Sequence, residues 1–264
     1  MHLIIASRED EASMSMARRL LETFEFRELE GSPGVLSHNG FLFSHISVKH
    51  LYLENFENLF SGIKGQVDDV IFLSRHSSKA DIKSLTVHPT GNFSEALLGG
   101  REGKLSMSDP GKMTSTLRAM NEVYSGTTFS VTFEATHHGP FLNVPNFFIE
   151  IGTTEAQWKD PEALDTVVEA IMRPNSGKNP AYVGAGGGHY MPKVTRYAIE
   201  NGADIGHMIS KHAMDGISES MILQSIEKTP NCRGFVMDRK GVKSQGKQLI
   251  STISDQMGLE IIMV

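Results

Sequence analysis

The chain has 264 residues, 39% of them hydrophobic and 21% charged, with a formal net charge of −6. Those are the proportions of a soluble globular protein, long enough for one large α/β domain or two modest ones, and the acidic balance excludes a general basic coat for nucleic acid. No stretch approaches the roughly 18 uninterrupted apolar residues of a membrane helix, the single Cys232 excludes an intrachain disulfide, and MHLIIASRED lacks the features of a secretory signal, so a reducing, cytoplasmic location is expected.

Residues 2–6 (HLIIA) predict a first strand. Met14, Ala17, Leu21 and Phe24 recur at three- and four-residue spacing and predict an amphipathic helix from about Asp10 to Phe24. GFLFSHIS and HLYLENF predict two strands at or near a sheet edge. Val70–Leu73 is apolar on both alternating faces, the pattern of a buried central strand, and LTVHPTG (85–91) predicts a shorter one. Asp109 is an N-cap with Pro110 at the first helical position, opening a helix to about Tyr124. From Thr127 to Thr136 the residues alternate, with Phe129, Val131 and Phe133 on one face and Ser130, Thr132, Glu134 and Thr136 on the other. Phe147–Ile151 is another strand, and Thr154 with Gln157 fits a capping box for a helix carrying Val167, Val168, Ile171 and Met172. Ala181–Val183 is a strand running into glycines, followed by a helix from Pro192 to Glu200. The tail predicts helix 217–227, strand 234–238, helix 245–256 and strand 259–263. This alternation, without linker or repeat, predicts one α/β domain over residues 1–264: a mixed, mostly parallel sheet with helices on both faces.

Four polar segments that interrupt or follow apolar runs carry histidine: SRHSS (74–78), EATHHGP (134–140), GAGGGHYMP (184–192) and GHMIS (206–210). Ligands of open α/β sheets bind beyond the carboxyl ends of the strands. In the first segment Arg75 suits a phosphate or carboxylate and His76 a base or metal ligand; capping of local carbonyls is the plain alternative. In the second, Glu134, Thr136 and His138 share a face while His137 points the other way, and Gly139-Pro140 re-aims the pair. A carboxylate beside two imidazoles fits a metal site or a histidine oriented by glutamate, and one of the two rings is expected to be merely buried. Gly186, Gly187 and Gly188 offer backbone amides ahead of a helix, and His189 follows them. His207, in an apolar run, reads as a core histidine. His88 and Glu150, at predicted strand ends, are second-rank, while His2, His38, His45, His50 and His212 have no supporting context.

Other motifs fail. Gly241–Lys247 matches the first seven positions of a P-loop, but Gln248 replaces the Mg²⁺-binding hydroxyl and too little chain follows for an NTPase core. Serine and cysteine nucleophile signatures and cysteine-based zinc motifs are missing. Lys228, Arg233, Arg239, Lys240, Lys243 and Lys247 form a basic strip, read as a solvated face or as a phosphate contact.

SRHSS, TVHPTGNF, EATHHGP, VPNFFIEIGTTEAQW and GAGGGHYMPKVTR, in this order and spacing, resemble the archaeal and plant type of D-aminoacyl-tRNA deacylase, strongly over residues 70–210. The resemblance implies hydrolysis of the ester joining a D-amino acid to the terminal ribose of tRNA. It also implies a monomeric α/β fold similar to peptidyl-tRNA hydrolase and phosphorylase-type hydrolases, and zinc as cofactor. On that footing Glu134, His137, His138, His189 and His76 are the candidate catalytic residues. His76, Glu134, His138 and His189 are the candidate zinc ligands. Arg75, Ser77, Gly186, Gly187, Gly188 and Lys193 are the candidate substrate contacts, with tRNA as the partner. Another tRNA-ester or amide hydrolase, such as a peptidyl-tRNA hydrolase, and a non-catalytic tRNA-binding protein are the alternatives.

Overall fold

The structure is a computed structural model that describes residues 1–53, 56–77, 82–174 and 179–264; Ser78 of SRHSS and residues 54 and 55 of HLYLENF lie outside the described residues. In chain order the strands are β1 (His2–Ser7), β2 (Arg27–Glu28), β3 (Val35–His38), β4 (Phe41–Ile46), β5 (Asp69–His76), β6 (Ser84–His88), β7 (Gly91–Asn92), β8 (Lys104–Leu105), β9 (Ser130–Phe133), β10 (Asn146–Gly152), β11 (Ala181–Ala185), β12 (Asp204–Ile209), β13 (Cys232–Met237) and β14 (Glu260–Met263). They form, among the described residues, an eight-stranded sheet in the order β2-β3-β4-β1-β5-β10-β6-β9, a four-stranded sheet β12-β11-β13-β14, and a β7-β8 ribbon. The α/β class and the mixed, mostly parallel pairing match expectation, but the strands divide between two sheets instead of one. Nothing local in the sequence marks that division, because strand pairing is a non-local choice.

Val70, Ile71, Phe72 and Leu73 of β5 are fully buried, flanked by β1 and β10, both parallel to it. One face, with Phe72 and Phe148, packs over Leu3, Ile5 and Ile63; the other, with Ile71, Leu73 and Ile149, joins a larger core that reaches the second sheet through Val194, Ile205 and Val236.

Helix α1 (Glu11–Thr23) is capped by Asp10, which accepts from Ser13 N at 3.0 Å. Its central buried line is Ala12, Met16 and Leu20; of the predicted stripe Ala17 is buried, and Met14, Leu21 and Phe24 flank it. The described residues of HLYLENF do not form a strand: His50–Tyr52 is a 3₁₀ turn, and Phe56 opens α2 (Phe56–Leu59). Its alternating pattern misleads because His50 is itself buried, edge-on to Phe72 and Phe148. Helix α3 (Pro110–Val123) starts at Asp109 as expected. The Thr154/Gln157 capping box is real but opens the short α4 (Glu155–Trp158); the helix carrying Val167 and Ile171 is α5 (Pro161–Met172), with its own Asp160 cap and Pro161. After these come α6 (Pro192–Asn201), α7 (Lys211–Met214), α8 (Glu219–Glu227) and α9 (Ser244–Met257).

Arg118 of α3 fastens the two sheets. It donates to Asp204 at 3.0 Å and to the carbonyls of Ala198 and Ala203 at 2.7–3.1 Å. Arg118→Met keeps the aliphatic stem but leaves the buried Asp204 with Asn179 as its remaining side-chain donor. Loss of about 2 kcal/mol is expected in a urea titration.

Candidate active site

Cross-strand register places the site. Phe72, Phe148 and His88 stand side by side on β5, β10 and β6, then Ser74, Glu150 and Thr86, then His76, Gly152 and Ser84. The first row is the top of an apolar core and the next two are polar, so one sheet face changes from hydrophobic to ionisable along its length. Because β6 runs antiparallel to β10, the ends of oppositely directed strands deliver His76 and His88 to either side of one carboxylate. Glu150 Oε2 lies 3.4 Å from His76 Nδ1 and Oε1 lies 3.8 Å from His88 Nε2. Gly152 must be bare: a Cβ there would stand 2.9 Å from His76 Cδ2 and from Ser84 Oγ.

Glu134 follows β9, its N–H donating to Val87 O at 3.1 Å, and its side chain is fully buried. Oε1 is 3.0 Å from His76 Nδ1; Oε2 is 3.0 Å from His189 Nε2 and 3.7 Å from His137 Nε2. Neither oxygen receives a well-directed hydrogen bond. His189 comes from the second sheet, on the glycine loop after β11. That loop docks by Ala135 N→His189 O (2.8 Å) and Met191 N→Phe133 O (3.0 Å).

Hydrogen bonds to backbone fix the tautomers of three more imidazoles. Nδ1 of His88, His137 and His138 faces the carbonyls of Pro89, Ala135 and Gly139 at 3.2, 2.8 and 2.7 Å. A carbonyl only accepts, so Nδ1 carries the hydrogen, and on His137 and His138, which burial keeps neutral, the lone pair stays on Nε2. Donation of one ring N–H to a carbonyl is what metal-ligating histidines do. The ligand atoms fall into three overlapping groups, each within 4.8 Å: His88/His137/His138, His76/Glu134/His189 and His88/Glu134/Glu150. Buried carboxylate oxygens without directed hydrogen bonds, beside imidazoles of this tautomer, fit a divalent cation with nitrogen and oxygen preference such as zinc.

The acidities are split across the cluster. Burial alone would lower His76, but Glu134 and Glu150 against its ring prevail and push it up to about 10. His88 is also raised, burial again opposing and Glu150 prevailing. His138 is pushed down to about 3 and His137 well below the ordinary imidazole value, by desolvation first and then by His88. Burial would raise Glu134, yet His189 and His76 hold it well below the usual carboxylate range.

Of the residues singled out in the sequence, His76, Glu134 and His189 meet directly, while His138 stands in the neighbouring group with His88 and His137. Both members of the His137/His138 pair take part in the cluster, where one was expected to be merely buried. His137, His138, Arg75 and Ser77 line an adjoining cleft of about 350 Å³. The exposed Arg75 guanidinium lies 5.6 Å from the Trp158 ring centroid, and its backbone N–H is held by Asp10 at 3.1 Å. The amides of Gly186 and Gly188 are engaged, donating to Ile209 O and Tyr190 O, so the glycine-amide expectation narrows to Gly187. Lys193 is paired with Asp238 at 2.6 Å. His207 is a satisfied core residue, fully buried, with Nε2 on Ser106 O at 2.9 Å and Nδ1 by Thr136 Oγ1 at 3.1 Å.

Sequence reasoning under-ranked His88 and Glu150 and passed over Tyr190, whose hydroxyl lies 3.1 Å from His76 Nε2 and 3.4 Å from Ser84 Oγ. It also discarded His50, which lines the cleft beside Asp10 and Leu51. The signal for His88 and Glu150 was their position at strand ends; their convergence needed the antiparallel pairing.

The profile of the D-aminoacyl-tRNA deacylase family matches residues 63–262. The D-aminoacyl-tRNA deacylase of Thermoplasma acidophilum is 46% identical over the full length of both chains, that of Picrophilus torridus 40% over the full length of both, and that of Thermococcus onnurineus 35% over 99% of each. A crystal structure of a conserved protein of unknown function superposes with a TM-score of 0.91 at 27% identity, covering all of this chain and 95% of the other. With relatives of this similarity along its whole length, the chain belongs to the D-aminoacyl-tRNA deacylase family.

Proposed function

We propose that the protein hydrolyses the ester of D-aminoacyl-tRNA, releasing free tRNA and the D-amino acid, with the His–Glu cluster as its active site. The observation that carries this is the convergence of four imidazoles, those of His76, His88, His137 and His189, on the buried carboxylates of Glu134 and Glu150 at the edge of an open cleft. An aminoacyl ester is already reactive, so its hydrolysis requires a positioned water, a proton acceptor and stabilisation of the developing oxyanion. In the absence of a metal, His189, 42% exposed and held at Nε2 by Glu134, is placed to take the proton from water at the cleft. Glu134 orients that ring and stabilises the imidazolium that forms. Arg75 and Ser77 face the cleft where the ester enters. The exposed Arg239 and Lys240 lie in a turn against the glycine loop, because Gly241 packs on Gly187, and they suit a phosphate backbone. Binding through them weakens with salt.

The cofactor in this reading is zinc, held by His76, Glu134 and His189, with His88, His137 and His138 as the neighbouring nitrogen group. When bound, zinc would supply Lewis acidity, lowering the pKa of nearby water toward 7 and polarising a carbonyl. A metal-free version uses the same side chains to orient water. The two separate on one assay, in which D-aminoacyl-tRNA, L-aminoacyl-tRNA and peptidyl-tRNA are each incubated before and after exhaustive chelation. We expect turnover of the D-ester alone, lost on chelation and restored by zinc. Full activity after chelation sinks the zinc reading, and preferential turnover of peptidyl-tRNA sinks the substrate. The proposal includes a cytoplasmic monomer, checked by light scattering of the active protein.

A further inference from the structure

A second, larger cavity, of about 950 Å³, opens beside the catalytic cleft. Leu51 lines both, so the two adjoin at that residue. Leu98, 53% exposed, lines the cleft, and the chain then runs as Gly99-Gly100-Arg101 along the wall of the larger groove. That groove is walled by Tyr52, Arg101, Phe141 and Asn143. The Arg101 guanidinium lies 4.6 Å from the Phe141 ring centroid, and the Tyr52 ring is 51% exposed. The two carboxylates among the groove's described lining residues already have cations: Glu57 pairs with Lys64, and Asp68 with the amino group of Met1. Arg101 has no carboxylate partner among the described residues, so among these residues the charge left without a partner in the groove is positive although the protein is net acidic.

Flat aromatic faces with a stacked guanidinium and a free positive charge are what sequence-independent binding of single-stranded nucleic acid uses, since every base has a π-face and every link a phosphate. An ester on the terminal ribose of tRNA enters the cleft attached to the unpaired 3′ nucleotides, and that strand must leave over adjoining surface. We infer that the Tyr52–Arg101–Phe141 groove receives the single-stranded 3′ nucleotides of the tRNA, with Phe141 and Tyr52 stacking bases and Arg101 meeting phosphate. This rests on the reading of the protein as a D-aminoacyl-tRNA hydrolase.

The test compares two substrates on Arg101→Glu and Phe141→Ala: D-aminoacyl-tRNA, which has the strand, and D-aminoacyl-adenosine, which lacks it. For each variant KM for the tRNA rises about tenfold with kcat retained, while the adenosine ester is turned over as by the wild type. An unchanged KM for tRNA overturns the inference. So does an equal loss on both substrates, which would place the residues at the ester or in folding. If the wild type turns over neither ester, the functional reading has failed, and a binding measurement decides the groove independently. Wild-type protein then binds an uncharged tRNA minihelix with an unpaired 3′ end more tightly than a blunt one, and both variants lose the preference. Equal binding of the two minihelices by the wild type overturns the groove.

Discussion

Glu134→Gln is expected to lower kcat for D-aminoacyl-tRNA by about 10³-fold with KM little changed, within the range general acid–base residues contribute. The carboxylate is fully buried, and its two oxygens face His76, His137 and His189. An amide of the same shape keeps the packing but removes the negative charge that orients His189 and that, with Glu150, holds the proton on His76. It also presents an N–H where a donor oxygen stood, so on the proposed zinc reading the zinc retained per chain should fall in the same preparation. Single-turnover rates on D-aminoacyl-tRNA, with thermal unfolding as the check on folding, make the measurement. Activity within tenfold of wild type would remove Glu134 from the chemistry.

The second large effect is on stability. Burial lowers His207 and His50 each to about 4, so both are neutral inside the protein while the unfolded chain takes up a proton near 6.5. A folded value below the unfolded one means that the stability is fully present above pH 6.5 and lost as pH falls toward 4, by about 3 kcal/mol for each histidine. Asp109 works the other way: burial and Asp69 raise it to about 6, so its contribution is present at low pH and lost as pH rises through 6. The net slope mixes these, and a single-site difference isolates one. His207→Gln cannot titrate. Its urea stability, measured from pH 7.5 to 4, should decline less than the wild type's by about 3 kcal/mol over that interval, whatever constant offset the lost hydrogen bonds to Ser106 and Thr136 impose. Parallel curves would show that His207 does not govern acid sensitivity.

What the residues disclosed beforehand follows from how local each signal is. Asp109-Pro110 and the apolar run of β5 act within a few residues and were placed correctly. The HLYLENF alternation matched a strand template by chance, since a buried ring like His50 counts as polar in sequence and as core in space. At the site, the strand ends carrying His76, Glu134 and His189 were visible one at a time. The link through Glu150 to His88 was not, because it depends on β6 lying antiparallel beside β10. Tyr190 was invisible for a related reason: its ring reaches His76 across 114 residues of chain. The glycine amides misled because their number suggested free donors, whereas two of them are engaged within the backbone.

The loop that seats His189 against Glu134 makes the candidate site depend on the carboxy-terminal part of the chain. A chain synthesised through Gly152 already contains His76, His88, Glu134, His137, His138 and Glu150, yet it lacks His189 and the strand from which that loop departs. The candidate site is therefore complete only with the carboxy-terminal sheet in place, where Ala135 N donates to His189 O and Met191 N to Phe133 O. On the proposed function, a chain cut short before β11 carries most of the candidate site and should fail to turn over the ester.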